Sequence, residues 1–179
     1  MLRKFFLAIS TRAPISISNN PANQHETVLV SGPGICNFVA MEYYAGILNR
    51  TFLVSGFTNG ISGTRVMGVM SNPGYMPPSV AIDPNAYVNR AMLARYGDVT
   101  LESTNFLSLD DANFYYSMRE ISSISADLSP KWGMGNVRYS GRILIHLTTG
   151  KTRELILLGL QDVQFVAEQL KNLWQSHAR

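Results

Sequence analysis

The chain is poor in charge. Of its 179 residues only 15 are Lys or Arg and 12 are Asp or Glu, against 46% hydrophobic residues. Its beginning lacks acids altogether: none precedes Glu26, and the cations before that point are Arg3, Lys4 and Arg12. Removing these three leaves 12 basic residues (15 − 3) facing 12 acidic ones, so the net charge of +3 belongs to the first 25 residues. Binding a phosphate backbone needs cations gathered on one face. Here the body is balanced and its charges alternate in sign, which argues against a nucleic-acid partner. The single cysteine, Cys36, excludes an internal disulfide and a cysteine-cluster zinc site, and fits an intracellular reducing compartment. No apolar run approaches the roughly 18 residues needed to span a bilayer.

The parts of a catalytic site are missing too. His25, His146 and His177 show no metal-ligand spacing and have no cysteine or carboxylate pair beside them. Gly32-Pro33-Gly34 lacks the Gly-Lys-Ser/Thr that completes a phosphate-binding loop, and it reads as a plain turn. No G-x-S-x-G elbow occurs, and Asp110-Asp111 is ordinary turn chemistry. Cys36 sits among apolar neighbours, where a thiol behaves as a small hydrophobe. The expectation is a non-catalytic protein with no metal and no cofactor. An enzyme or small-ligand domain would instead need His146 and Cys36 to converge in one deep pocket.

What is present starts with an N-terminal arm. Leu2, Phe5, Phe6 and Ile9 recur at the i, i+3, i+4, i+7 spacing of an amphipathic helix, with Arg3, Lys4 and Arg12 off that stripe. Pro14 should end the helix near residue 12. This basic, hydroxyl-bearing start resembles a mitochondrial targeting presequence. If retained, these seven side chains are contacts for a neighbouring subunit or an anionic membrane surface. Residues 14–25, rich in Ser, Asn and Pro, read as a connector, so the chain divides into an arm at 1–25 and one globular domain at 26–179.

Within the domain, Thr27–Ser31 reads as a short strand and Ile35–Tyr44 is an apolar, aromatic stretch closed by Gly46. Arg50–Phe57 and Ile61–Val69 flank Thr58-Asn59-Gly60, a hairpin with a type I′ Asn-Gly turn. Residues 71–81 carry Pro73, Gly74, Pro77 and Pro78 and predict an irregular loop. A helix then follows, capped by Asp83, with Pro84 at its first position and Gly97 as its left-handed stop. Strands are expected at 98–102, 106–109, 113–118 and 121–126, then a loop at 127–140. Arg142–Leu147 alternates, and Thr152–Leu158 is apolar enough to be covered on both faces. Val163, Val166, Leu170, Leu173 and Trp174 mark a final amphipathic helix capped by Asp162.

The stretches NFYYSMREISSIS (113–125) and GRILIHLTTGKTRELILLGLQDVQFVAEQLKNLW (141–174) resemble the bacterial pleckstrin-homology-like (PH-like) domain family, best over residues 99–175. The resemblance implies an α+β fold: a strongly bent antiparallel sheet or barrel plugged at one end by its C-terminal helix. TFLVSGFTNGISGTRV would be an earlier hairpin of the same barrel, and residues 71–97 an inserted loop plus helix. The 129–140 loop gathers Lys131, Trp132, Arg138 and Tyr139 with glycines that allow close backbone approach. It is the candidate contact site, for protein partners first, since Trp, Tyr and Arg dominate interface hot spots. An anionic headgroup bound by Lys131 and Arg138 is the alternative that the resemblance implies. The function expected is that of a structural or adaptor subunit in a larger, membrane-proximal assembly, on the mitochondrial or bacterial cytoplasmic side.

Overall fold

The computed structural model describes residues 30, 32–69 and 76–177. The amphipathic arm, the start of the globular domain, the body of the Pro-rich loop and most of the expected first strand lie outside that range. Val30, the one described residue of Thr27–Ser31, is not in a strand.

The strands are β1 (Cys36–Ala45), β2 (Leu48–Gly56), β3 (Gly60–Met67), β4 (Phe114–Ser117), β5 (Ile121–Asp127), β6 (Tyr139–Leu147) and β7 (Thr152–Leu158). They form one antiparallel sheet in the order β4-β3-β2-β1-β7-β6-β5, curled into a half-barrel. Four short helical pieces lie between β3 and β4, among them α1 (Pro78–Ala81) and α2 (Arg90–Ala94), and α3 (Val163–His177) is the last described element. The architecture is α+β.

Alternation along each strand sorts the side chains into two layers. Phe38, Ala40, Phe52, Val54, Phe114, Ile124, Ile143, Ile145, Leu155 and Leu157 face inward and share a core with Val163, Val166, Leu170 and Leu173 of α3. Asp162 caps that helix, its carboxylate accepting from Phe165 N at 2.9 Å. Trp174 Nε1 donates to Ile121 O at 3.0 Å, tying the last turn to β5. Gly56 makes the seat: a Cβ there would lie 2.7 Å from Leu170 Cδ2. The final helix therefore closes the inner face at the end marked by Cys36 and Gly56, as its apolar spacing predicts.

The outer face is covered as well, by residues the sequence did not single out for that role. Val39, Met41, Leu53, Val66, Ile156 and Leu158 pack with Tyr87 and Met134 in a second cluster. The lid over it is the 76–97 segment, which the PH-like resemblance treats as an insertion. Asn89 N donates to Val66 O at 2.9 Å, Leu160 N to Ile82 O at 2.8 Å, and Tyr87 Oη to Ala81 O at 3.0 Å. Gly159, at φ +70°, lets the chain pass under Ile82 O, where a Cβ would come within 2.7 Å. Because β1, β2 and β7 are sandwiched, Leu155–Leu158 is buried throughout, as the apolar run predicts.

Four local expectations fail. The 83–97 helix is broken in two: Asp83 caps a single 3-10 turn (Pro84–Tyr87), and Asn89 then caps α2, accepting from Ala91 N and Met92 N. The break lets Val88 and Asn89 run extended along β3, and Gly97 has no positive φ. Arg95, just past α2, reaches Leu109 O and Asp110. The strands expected at 98–102 and 106–109 are turns and a 3-10 helix (Asn105–Leu109), because Tyr96, Leu101 and Phe106 fold inward onto Phe57 as a small third cluster. At the β2–β3 turn, Gly60 already belongs to β3 and lacks a positive φ, so the hairpin is right and the type I′ turn is not. The tail of the Pro-rich loop is the helix α1.

β1 and β7 pair at only two positions, Ala40 with Leu157 and Met41 with Ile156. Gln161 extends the seam with its side chain. Its Oε1 accepts from Val39 N at 3.1 Å, and its Nε2 donates to Val39 O and Leu158 O at 2.7 Å. Gln161→Ala should cost about 2–4 kcal/mol, since it strands buried backbone groups. Leu170→Ala should cost about 2–5 kcal/mol by opening the inner core. Urea unfolding of each variant checks both.

Candidate interaction groove

The loop between β5 and β6 is anchored at its base by ions. Arg142 on β6 bridges Asp127 and Glu154, the latter at 2.6 Å, and Lys131 Nζ meets the other Glu154 oxygen at 2.5 Å. Tyr139 Oη accepts from Lys131 N at 2.7 Å. Tyr43 Oη donates to Gly133 O at 3.0 Å, and Met134 drops into the outer core. Gly133 and Gly135, at φ +88° and +54°, supply the left-handed turns on either side of Met134. A loop pinned at so many points holds its tip in place, and the tip is Trp132, 92% exposed.

Across from Trp132 stands the β1–β2 turn, with Ile47 86% exposed, Leu48 beside it and Val69 two residues past the end of β3. Together with Tyr43, Met134 and Val137 they line a groove of about 650 Å³. Among the described residues its one charged lining side chain, Lys131, is engaged by Glu154. The four candidate side chains of the loop therefore divide. Lys131 and Tyr139 hold the loop, Trp132 faces the groove, and Arg138 is exposed and does not line it. Ile47, Leu48 and Val69 were missed, although an apolar Ile-Leu pair directly after Gly46, in a turn, was a legible signal.

A second recess, about 450 Å³, opens as a mouth at the far end of the inner face. Glu42, six residues along β1 from Cys36 and so about 20 Å from the α3 end, is almost fully buried there. Its Oε1 accepts from Arg50 Nε at 2.6 Å and from Arg153 at 2.7 Å. The Arg153 guanidinium lies 3.6 Å from the centroid of Phe114 and donates to Tyr116 Oη at 3.1 Å. Two arginines thus share one carboxylate, and Lys151 stands at the rim.

Cys36 and His146 do not converge. Cys36 is in the core beneath α3, where burial pushes its thiol up to about 12. His146 lies on β6, its Nδ1 2.9 Å from Thr152 Oγ1 and its Nε2 3.4 Å from Ser125 Oγ. Neither lines the groove or the mouth. Among the described residues no group of three His, Cys, Asp or Glu side chains is placed to hold a metal ion, and no helix is long and apolar enough to cross a membrane. No family model, curated protein or solved structure matches this chain.

The ion cluster under the loop has a pH signature. Burial alone would raise the Glu154 carboxyl, but hydrogen bonds from Lys131 and Arg142 outweigh it and hold the group below its usual value. A depressed folded-state pKa contributes stability that is complete above the unfolded value of about 4.3. That contribution is lost as pH falls through the folded value. Glu154→Gln should cost about 1 kcal/mol at neutral pH and flatten the fall in stability between about pH 5 and 3, as read by denaturant unfolding across that range.

Proposed function

We propose that this chain is a non-catalytic, PH-like interaction module that serves as an adaptor or structural subunit and takes a protein partner in the Trp132 groove. The observation that carries the reading is that Trp132 and Ile47, each more than four-fifths exposed, line one recess whose charged side chain, Lys131, is held by Glu154. Leaving large apolar side chains in water forgoes about 1.5–3 kcal/mol apiece, and contiguous exposed apolar surface marks contact sites. Aromatic anchors beside a pocket are the usual energetic centre of an interface. The bent antiparallel sheet with its C-terminal helix seated on the inner face supports the PH-like assignment. The single continuous half-barrel, with 76–97 packed as an outer layer, departs from the minimal pattern of the resemblance.

A second reading, binding of an anion or lipid headgroup, is favoured by a different place from the one the loop sequence suggested. Lys131 is committed to Glu154, whereas at the mouth Arg50 and Arg153 share Glu42 with Lys151 alongside.

Affinity purification with quantitative mass spectrometry tests the first reading. The double variant Ile47→Asp/Trp132→Ala should lose the proteins that travel with the wild type by more than about ten-fold, equivalent to about 1.4 kcal/mol, with an unchanged thermal melt. The same set captured by both proteins would refute it. Co-sedimentation with anionic vesicles that survives this variant but fails with Lys151→Glu would establish the second reading instead.

A further inference from the structure

We propose that the Trp132 groove and the mouth beside Arg50 and Lys151 act as one surface, which takes an extended protein segment pairing large apolar residues with an aspartate or glutamate. The inference rests on the reading of the groove as a contact surface and names the chemistry of its partner.

The two recesses adjoin. Tyr43 lines both, and the ion pair of Lys131 with Glu154, 2.5 Å apart, has one member in each. Arg50 follows Ile47 by three residues, so the two lie within about 11 Å of each other along the chain. A partner resting on Trp132 and Ile47 therefore reaches the mouth with its next few residues, each extended residue spanning about 3.3 Å.

Charge sets what those next residues must carry. The mouth holds Arg50, Lys151 and Arg153 against Glu42 and Glu154, and Glu154 is already bridged by Lys131 and Arg142. Glu42 meets both of its arginines through Oε1. Arg50 gives that contact its Nε, which leaves its terminal nitrogens to a ligand. The Lys151 ammonium is exposed and pairs with no described acid. Since the body is electrically balanced, this surplus of positive charge is local. It favours an incoming carboxylate, the group a guanidinium meets with two parallel hydrogen bonds. The groove in turn favours peptide over hydrocarbon. Asn136 and the backbone of Gly46, Gly133 and Gly135 line it beside the apolar side chains. A lipid tail laid there would cover polar groups without satisfying them, whereas an extended peptide brings its own main-chain donors and acceptors.

Panning a random-peptide phage library on the full-length protein tests this, with the enriched peptide then synthesised and titrated by fluorescence polarisation. Enriched sequences should carry a large apolar residue with Asp or Glu within about four positions. Lys151→Glu should weaken that peptide about five-fold or more, and less so at high salt. The loss should vanish when the peptide's acid is replaced by its amide. Ile47→Asp/Trp132→Ala should weaken both peptides at least about ten-fold. All three side chains are exposed, so both variants should keep the wild-type thermal melt. Enriched peptides without an acid, or with an affinity unchanged in Lys151→Glu, overturn the acidic partner; the groove still stands if Ile47→Asp/Trp132→Ala weakens them. Peptides indifferent to that double variant, or no enrichment at all, remove the groove reading as well. Phosphatidylserine vesicles that bind the wild type and neither variant, with no peptide enriched, would overturn the proposal and mark a membrane as the occupant.

Discussion

Everything in this fold hangs on how the two halves of the half-barrel are joined. β1 carries the β2–β3–β4 half and β7 carries the β6–β5 half, and between them only two residue pairs hydrogen-bond. Gln161 completes the junction by presenting an amide to Val39 and Leu158 as a strand would. A buried backbone N–H or C=O left unpaired is expensive, so a seam this short is stable only if another group finishes it. The position of Gln161, one residue before the Asp162 cap, also sets where α3 starts. The seam and the plug of the inner face are therefore built by adjacent residues.

The inner face then has two unlike ends. At one, α3 seals an apolar interior that holds the buried Cys36. At the other, no helix of the described residues arrives and the sheet finishes with Glu42, Arg50 and Arg153 packed among aromatic rings. Charges buried in this way persist when they are paired and stacked, and removing one partner is far more costly than the pair is favourable. The outer face repeats the logic with different means: the 76–97 segment and the Met134 loop cover it, and the groove lies where those two covers leave β1 and its turn unprotected.

Elements with a strong period were readable from residues alone. The hairpin around residue 58, the alternation of Arg142–Leu147, the continuous run of Thr152–Leu158 and the stripe of α3 all appear within three residues of their expected places. The region 83–109 was not readable. Its short apolar groups fit a helix or strand by local propensity, but they are pulled out of either by Tyr87 into the outer cluster and by Tyr96, Leu101 and Phe106 into the third. Propensity loses there because burying an aromatic ring outweighs a few tenths of a kcal/mol of local preference. The loop at 129–140 was found as the contact candidate, yet its two cations differ in role, since Lys131 has a partner 23 residues away that only pairing of β6 with β7 brings near.

By itself the sequence determined the balance of charge in the body and its basic arm, and which segments must be strands with an apolar face and a closing helix. Those properties follow from composition and period, which are local. Only the tertiary structure decided that Ile47 and Val69 would stand opposite Trp132, that Gln161 would act as a length of strand, and that an apparent insertion would be a layer of the core. Each of these depends on residues far apart in the chain meeting across the sheet, and strand register, not spacing along the sequence, sets those meetings.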